Sequence, residues 1–273
     1  MSSASARDSL PGGTLSGTIN LTEADTTVTG QAANDSAGEE IAYGDVNGDN
    51  QTDLVVAAPA NDSAGSNAGA VFVFFGPITA ETVNLSAANR TLLGESSYDF
   101  AGRGLAVGYV DRDESAEIVV GAPGNDSLLA DGSGPRGEDT GAAYVVDIRP
   151  RATDQNRSLA TARKLRGAEN GSRAGFAVAA PENVTDAGLF AVGAPSLDSR
   201  TGAVYVLDGT HTRVSNLSDA RTTIRGESRN DSAGWSVAFA SDVNGDRLLD
   251  ILVGASTVNE NTGSAYVLTA ITE

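Results

Sequence analysis

The sequence predicts an all-β protein, a β-propeller of four units that either closes a small ring or forms part of a larger one. Three observations lead there. A pattern of Gly, Ala-Gly and Gly-Ala-Pro signals recurs four times along the 273 residues. Each copy breaks into four short strand-like runs punctuated by Gly, Pro, Asn and Asp. No long segment carries a helical apolar period.

The first copy runs Val28-Thr29-Gly30, Ala37-Gly38, Ala57-Ala58-Pro59 and Gly69-Ala70-Val71-Phe72-Val73. The second runs Leu92-Leu93-Gly94, Ala101-Gly102, Gly121-Ala122-Pro123 and Gly141-Ala142-Ala143-Tyr144-Val145. The third runs Leu165-Arg166-Gly167, Ala174-Gly175, Gly193-Ala194-Pro195 and Gly202-Ala203-Val204-Tyr205-Val206. The fourth runs Ile224-Arg225-Gly226, Ala233-Gly234, Gly254-Ala255-Ser256 and Gly263-Ser264-Ala265-Tyr266-Val267. The same step separates the first Gly from the Ala-Gly pair in all four, which chance similarity does not produce. The chain is therefore expected to be one domain, 1–273, with repeats at about 26–76, 90–148, 163–208 and 222–270. In the first copy the strands are expected near 26–30, 39–44, 54–58 and 70–75. Small residues dominate them, so sheets can pack closely, and Phe72, Tyr144, Tyr205 and Tyr266 should fill one niche in every unit. Four-stranded units with short edges are the mark of a propeller blade, and some sixty residues per unit is long for a solenoid. Residues 14–20 resemble the tail of a preceding unit and are expected to pair beside the last one.

Two of the copies contain an acidic loop. Asp45, Asn47, Asp49 and Asp53 place oxygen ligands at positions 1, 3, 5 and 9, with the Gln51 carbonyl at position 7; Asp242, Asn244, Asp246, Leu248 and Asp250 repeat the pattern. Ca²⁺ takes six to eight oxygens in flexible geometry, and such loops supply them. An EF-hand is excluded, because position 12 is Val56 or Val253 and the loop runs into Leu54-Val55-Val56 or Ile251-Leu252-Val253, which are strand-like. Each loop reads as a hairpin tip closed on a cation; an Asp/Asn/Gly turn without metal is the alternative. The second copy has Tyr109 at position 1, then Asp111, Asp113 and Glu117 with Arg112 among them, which should weaken any site. The third loop, 181–189, keeps Glu182 and Asp186 but not the spacing, and no metal is expected there.

The 36 acids against 18 bases give a net charge of −18, and Lys164 is the one lysine. Such a surface repels nucleic acid and anionic membranes. An acidic, nearly lysine-free composition fits a protein working in strong salt, where screening removes self-repulsion. Cysteine is absent, so disulfides, thiolate metal sites and Cys nucleophiles are excluded. No apolar run reaches a membrane span, and Met1 to Gly13 contain no apolar signal core. Arg149, Arg151, Arg157, Arg163 and Lys164 make 149–164 a basic arm, either a solvated loop or a grip on acidic surface.

The single histidine, His211, lies in a polar linker with no placed nucleophile, and the paired carboxylates belong to the loops. No catalytic function is expected. Trp235 follows the same corner as Phe176 and is expected in the core. Asn-x-Ser/Thr recurs at Asn20, Asn34, Asn50, Asn61, Asn84, Asn89, Asn125, Asn156, Asn170, Asn183, Asn216 and Asn230. These are either glycosylation acceptors on exposed loops or repeated Asx turns.

The repeated motifs resemble the FG-GAP repeat, the blade of the integrin α-chain propeller. Phe100-Ala101-Gly102 with Gly121-Ala122-Pro123 stands nearest the pattern that names the family, and the loops at Asp45–Asp53 and Asp242–Asp250 match its cation motif. The resemblance spans about residues 15–270, though integrin propellers have seven blades and four are found here. It implies a non-catalytic, Ca²⁺-stabilised module for cell-surface adhesion or recognition of a protein or glycan partner, extracellular, with no nucleic acid and no membrane insertion. An accessory propeller of an extracellular hydrolase, or a structural envelope protein, is the alternative.

Overall fold

The computed structural model describes residues 18, 20–113, 115–126, 139–148, 155–183, 188–210, 215–258 and 262–269. The protein is all-β. Its strands are β1 Thr27–Thr29, β2 Ile41–Gly44, β3 Asp53–Ala58, β4 Ala70–Phe74, β5 Thr82–Asn84, β6 Arg90–Leu93, β7 Gly104–Gly108, β8 Glu117–Ala122 and β9 Ala142–Val146. They continue as β10 Asn156–Ser158, β11 Arg163–Arg166, β12 Ala177–Ala179, β13 Leu189–Ala194, β14 Ala203–Asp208, β15 Thr222–Arg225, β16 Ala233–Ala240, β17 Asp250–Ala255 and β18 Ser264–Leu268. Among the described residues the helical pieces are single turns, such as Leu85–Ala87 and Leu159–Thr161.

The strands lie where the repeats put them, but the sheets cut across the repeats. The first unit is the antiparallel set β2, β3, β4 and β6, so its outer strand comes from the start of the second copy. The second unit takes β7, β8, β9 and β11, and the third β12 to β15. The fourth contains β16, β17 and β18. The first strand of the first copy, β1, pairs instead in parallel with β5. The outer strand enters in one register throughout: Ala70 faces Leu93, Ala142 faces Arg166 and Ala203 faces Arg225. A glycine holds each end, with Gly94 donating to Gly69, Gly167 to Gly141 and Gly226 to Gly202.

Core forms between units as well as within them. Val55, Ala57, Val71 and Val73 of the first unit share one buried cluster with Leu105, Val107, Ile118, Val120 and Tyr144 of the second. The next two junctions repeat this around Phe190 and Tyr205, and around Ile251 and Val253. Phe72, Tyr144 and Tyr205 occupy the expected niche and are buried, and Tyr266 is half-buried. The units meet so closely that backbone faces backbone. Gly69 bridges to Ala101, Gly141 to Ala174 and Gly202 to Ala233. Each of these glycines has φ between 77 and 82°, and a Cβ on any of them would overlap the facing alanine's backbone. That is why the Gly and Ala-Gly signals recur in step.

The described part of the basic arm is two short strands joined by a helical turn. Lys164 pairs with Glu95 at 2.6 Å, Arg157 donates to Thr161 and the Asp147 carbonyl, and Arg163 donates to the Gly209 carbonyl. Arg149 and Arg151 lie outside the described residues, as do residues 14–17. Asn20 is not in a strand; its side chain caps the turn Leu21–Glu23.

Candidate metal centres

Three hairpins, β2–β3, β7–β8 and β16–β17, join the first two strands of the first, second and fourth units and carry the acidic loops. The local chemistry is the same in the first and fourth. Asp45 accepts from the backbone amides of Gly48, Asp49 and Asn50 at 2.7, 3.1 and 2.6 Å. Asp242 accepts from Gly245, Asp246 and Arg247 at 2.6, 3.0 and 2.9 Å. Asn47 and Asn244 each accept from the amide two residues on and donate to the carboxylate of Asp49 or Asp246. Position 4 is left-handed in all three loops, at Gly48, Arg112 and Gly245, and position 6 is left-handed at Asn50 and Arg247. Position 6 is the place where an EF-hand uses Gly.

Position 9 closes each loop from inside. Asp53, Glu117 and Asp250 open β3, β8 and β17, are buried, and accept from the amide of Val46, Val110 or Val243 at 3.0, 2.8 and 2.8 Å. The second oxygen of Asp53 accepts from Gly76. Glu117 Oε1 and Asp250 Oδ1 are buried without a hydrogen-bond partner. A buried carboxylate oxygen with no donor is costly unless a proton or a cation meets it. Burial raises the Asp53 carboxyl above the ordinary range, with Asp49 and Asp45 adding to it and the amides of Gly76 and Val46 opposing. Burial, reinforced by Asp111 and Asp113 and opposed by the Val110 amide, pushes Glu117 up to about 8.

The acids do not converge equally. Among the described residues, the trio with ligand atoms within 4.8 Å of one another is Asp111, Asp113 and Glu117, in the loop expected to be weakened by Tyr109 and Arg112. Glu at position 9 reaches farther than Asp, which partly offsets Tyr109 at position 1. In the first and fourth loops Asp45 and Asp242 turn their oxygens onto the loop's own amides, and Gln51 and Leu248 are held through their amides to Asp49 and Asp246. The donor sets remain all-oxygen, which suits a hard cation such as Ca²⁺. Asp186 and His211 lie outside the described residues.

A second feature lies at the Ala-Gly corners, where the residue after each pair is Glu39, Arg103, Phe176 or Trp235. The fold sets these four in a row. Arg103 pairs with Glu39 at 3.4 Å and sits 4.3 Å over the Phe176 ring, which lies 4.6 Å from the Trp235 ring. Trp235 is 44% exposed, so it belongs to an open cleft rather than to the core. The Ala-Gly repeat fixed the shared position, but its residue type differs in every copy, so the sequence did not mark it as a cleft. Asn61 and Asn125, by contrast, are buried and donate to Asp35 and Asp99, so those two positions serve internal hydrogen bonds.

Residues 37–74 and 233–268 match the FG-GAP repeat family. The chain carries two FG-GAP repeats. They are the first and fourth units, which hold the two complete acidic loops, whereas Phe100-Ala101-Gly102 lies outside the matched stretches. A stretch of 89 residues, 32% of the chain, is 36% identical to the phosphatidylinositol-glycan-specific phospholipase D of Homo sapiens and spans 10% of that protein's length. No helix among the described residues is long and apolar enough to cross a membrane.

Proposed function

We propose that the four units are blades of a β-propeller, and that the protein is a non-catalytic, extracellular recognition module stiffened by Ca²⁺ and adapted to strong salt. The observation that carries the metal is the buried, half-satisfied acid at position 9: Asp250 Oδ1 and Glu117 Oε1 face no donor inside hairpins rich in oxygen. Asp45, Asn47, Asp49, the Gln51 carbonyl and Asp53 would hold one ion. Asp242, Asn244, Asp246, the Leu248 carbonyl and Asp250 would hold another. Asp111, Asp113 and Glu117 form a third place for it. The ion supplies charge neutralisation and cross-links the two strands of each hairpin. Recognition of a protein or glycan is left to the exposed surface, of which the Arg103–Phe176–Trp235 cleft is the most featured part; nucleic acid is disfavoured by the net charge of −18.

Extracellular calcium modules bind at about 10⁻⁴ to 10⁻³ M, and a free ion concentration of about a hundred times Kd adds about 2.7 kcal/mol per site. Calorimetric titration of chelator-treated protein should show binding, and calcium should raise the melting temperature. Asp45→Ala and Asp242→Ala should each remove part of that rise. Absence of binding heat together with unchanged melting would refute the calcium reading. A second reading, an accessory domain of an extracellular hydrolase, is favoured by the stretch similar to a phospholipase D. It predicts that a catalytic domain co-purifies with the native protein.

A further inference from the structure

The acidic loops of the first two units are joined through a single peptide plane. In the first loop the peptide between Asp45 and Val46 faces two ways. Its N–H donates to Asp53 Oδ2 at 3.0 Å, inside the loop. Its carbonyl accepts from the amide of Ala116 at 2.9 Å, in the loop of the second unit. Ala116 directly precedes Glu117, the buried acid at position 9 there. The same arrangement recurs one unit on, in the peptide between Tyr109 and Val110. Its N–H donates to Glu117 Oε2 at 2.8 Å, and its carbonyl accepts from Gly188 at 3.0 Å, in the hairpin of the third unit. The residue after Gly188 is Leu189, where the first two loops have an acid. This relay of hydrogen bonds runs from the first loop to the second and ends on a hairpin with no ligand at position 9.

Packing keeps each plane in place. Val46 and Val110 are fully buried. Val46 shares one cluster with Ala116 and Ile118 of the second unit, and Val110 shares another with Phe190 and Val192 of the third. Gly44, just before the first loop, approaches the second unit so closely that a Cβ on it would fall 2.5 Å from Val107 Cγ1. A peptide group is planar and stiff, so whatever fixes its N–H fixes its carbonyl as well.

Resting on the calcium reading, we infer that the first and second loops bind their ions as a coupled pair, while the fourth loop binds its own independently. Neutralising Asp53 fixes the Asp45–Val46 plane. That plane holds Ala116, and so sets the start of β8 from which Glu117 Oε1, buried with no donor, reaches toward its ion. The second loop gains most from being set in this way, because it has Tyr109 at position 1 and Arg112 among its acids. Coupling between two binding sites is reciprocal, so filling the second loop strengthens the first by the same factor. Long-range charge acts the other way, since an ion in one loop lowers the negative potential that draws the next. At about 1 M salt the screening length is about 3 Å, and the hydrogen-bonded relay then sets the sign. The fourth loop lies beyond the third unit's hairpin, where the relay has ended.

Hydrogen–deuterium exchange read by mass spectrometry, on the full chain titrated with Ca²⁺ in about 1 M KCl, follows each loop separately. Asp49→Asn removes an acid from the first loop and Asp246→Asn removes its counterpart from the fourth. Both change exposed side chains and should fold with unchanged circular dichroism. The calcium midpoint for protection of the second loop should rise roughly fivefold or more in Asp49→Asn. It should keep its wild-type value in Asp246→Asn. Asp113→Asn, in the second loop, should raise the midpoint of the first loop by the same factor. Absence of calcium-dependent protection in every loop would sink the calcium reading and the coupling together. The coupling alone is overturned if the second loop keeps its wild-type midpoint in Asp49→Asn, or shifts equally in Asp246→Asn. Protection confined to the first and fourth loops overturns it as well.

Discussion

Replacing Gly141 by Ala and Gly263 by Ala tests the packing of the units directly. Both glycines sit after a turn in the left-handed region, at φ 77° and 73°, and both precede the third strand of a unit. They differ in what faces them. A Cβ at Gly141 would land on the backbone nitrogen and oxygen of Ala174, which belongs to the next unit and is itself buried. A Cβ at Gly263 would find its nearest neighbour, the Ser256 carbonyl oxygen, at 3.4 Å. The left-handed conformation costs an alanine roughly 1–2 kcal/mol in either place. Overlap with backbone that cannot rotate away adds roughly 1–3 kcal/mol at Gly141 alone. The totals are about 2–5 kcal/mol against about 1–2 kcal/mol. For a chain of this size that is a melting-point loss of roughly 6–15 °C against roughly 3–6 °C. Urea unfolding and calorimetry measure both. Equal losses would show that the repeated glycines serve only their own turns and that the close approach of units is not what demands them.

Asn125→Ala removes the 2.9 Å bond to buried Asp99, which keeps its Ser96 amide, and should cost about 1–3 kcal/mol. Burial holds the Asp99 carboxyl above its ordinary range. The native state therefore binds more protons than the unfolded one, so this group's contribution weakens as pH rises from about 4 through the raised value. Asn125→Ala should steepen that loss in a pH series of urea curves; an unchanged slope would count against it. Lys164→Met should destabilise by about 1–3 kcal/mol, because Glu95 is left half-buried without its partner at 2.6 Å; a cost near zero would mean that the pair is fully solvated in solution. Trp235 is the chain's one tryptophan, so acrylamide quenching of its emission should be efficient, and Phe176→Ala should increase it. Quenching as weak as that of a buried indole would place Trp235 back in the core.

The sequence by itself determined the local content of this protein. Fourfold recurrence of Gly, Ala-Gly and Gly-Ala-Pro located the strands, because those residues mark places where turns need positive φ or backbones touch, and such demands act over a few residues. The same locality made the acidic loops legible: Asp45 and Asp242 engage amides within five residues of themselves. Pairing between distant segments was decided only in the tertiary structure. A three-residue outer strand such as Thr27–Thr29 carries nothing that names its partner, so β6 could join the first unit and β1 could pair with β5 without any change in the repeat pattern. Convergence of Asp111, Asp113 and Glu117 depended on how far a buried Glu reaches from the start of β8, which spacing alone does not encode. Exposure was decided last. Trp235 and Phe176 share one position, but only packing sets the number of neighbouring units around each, and Trp235 belongs to the unit at the open end of the array.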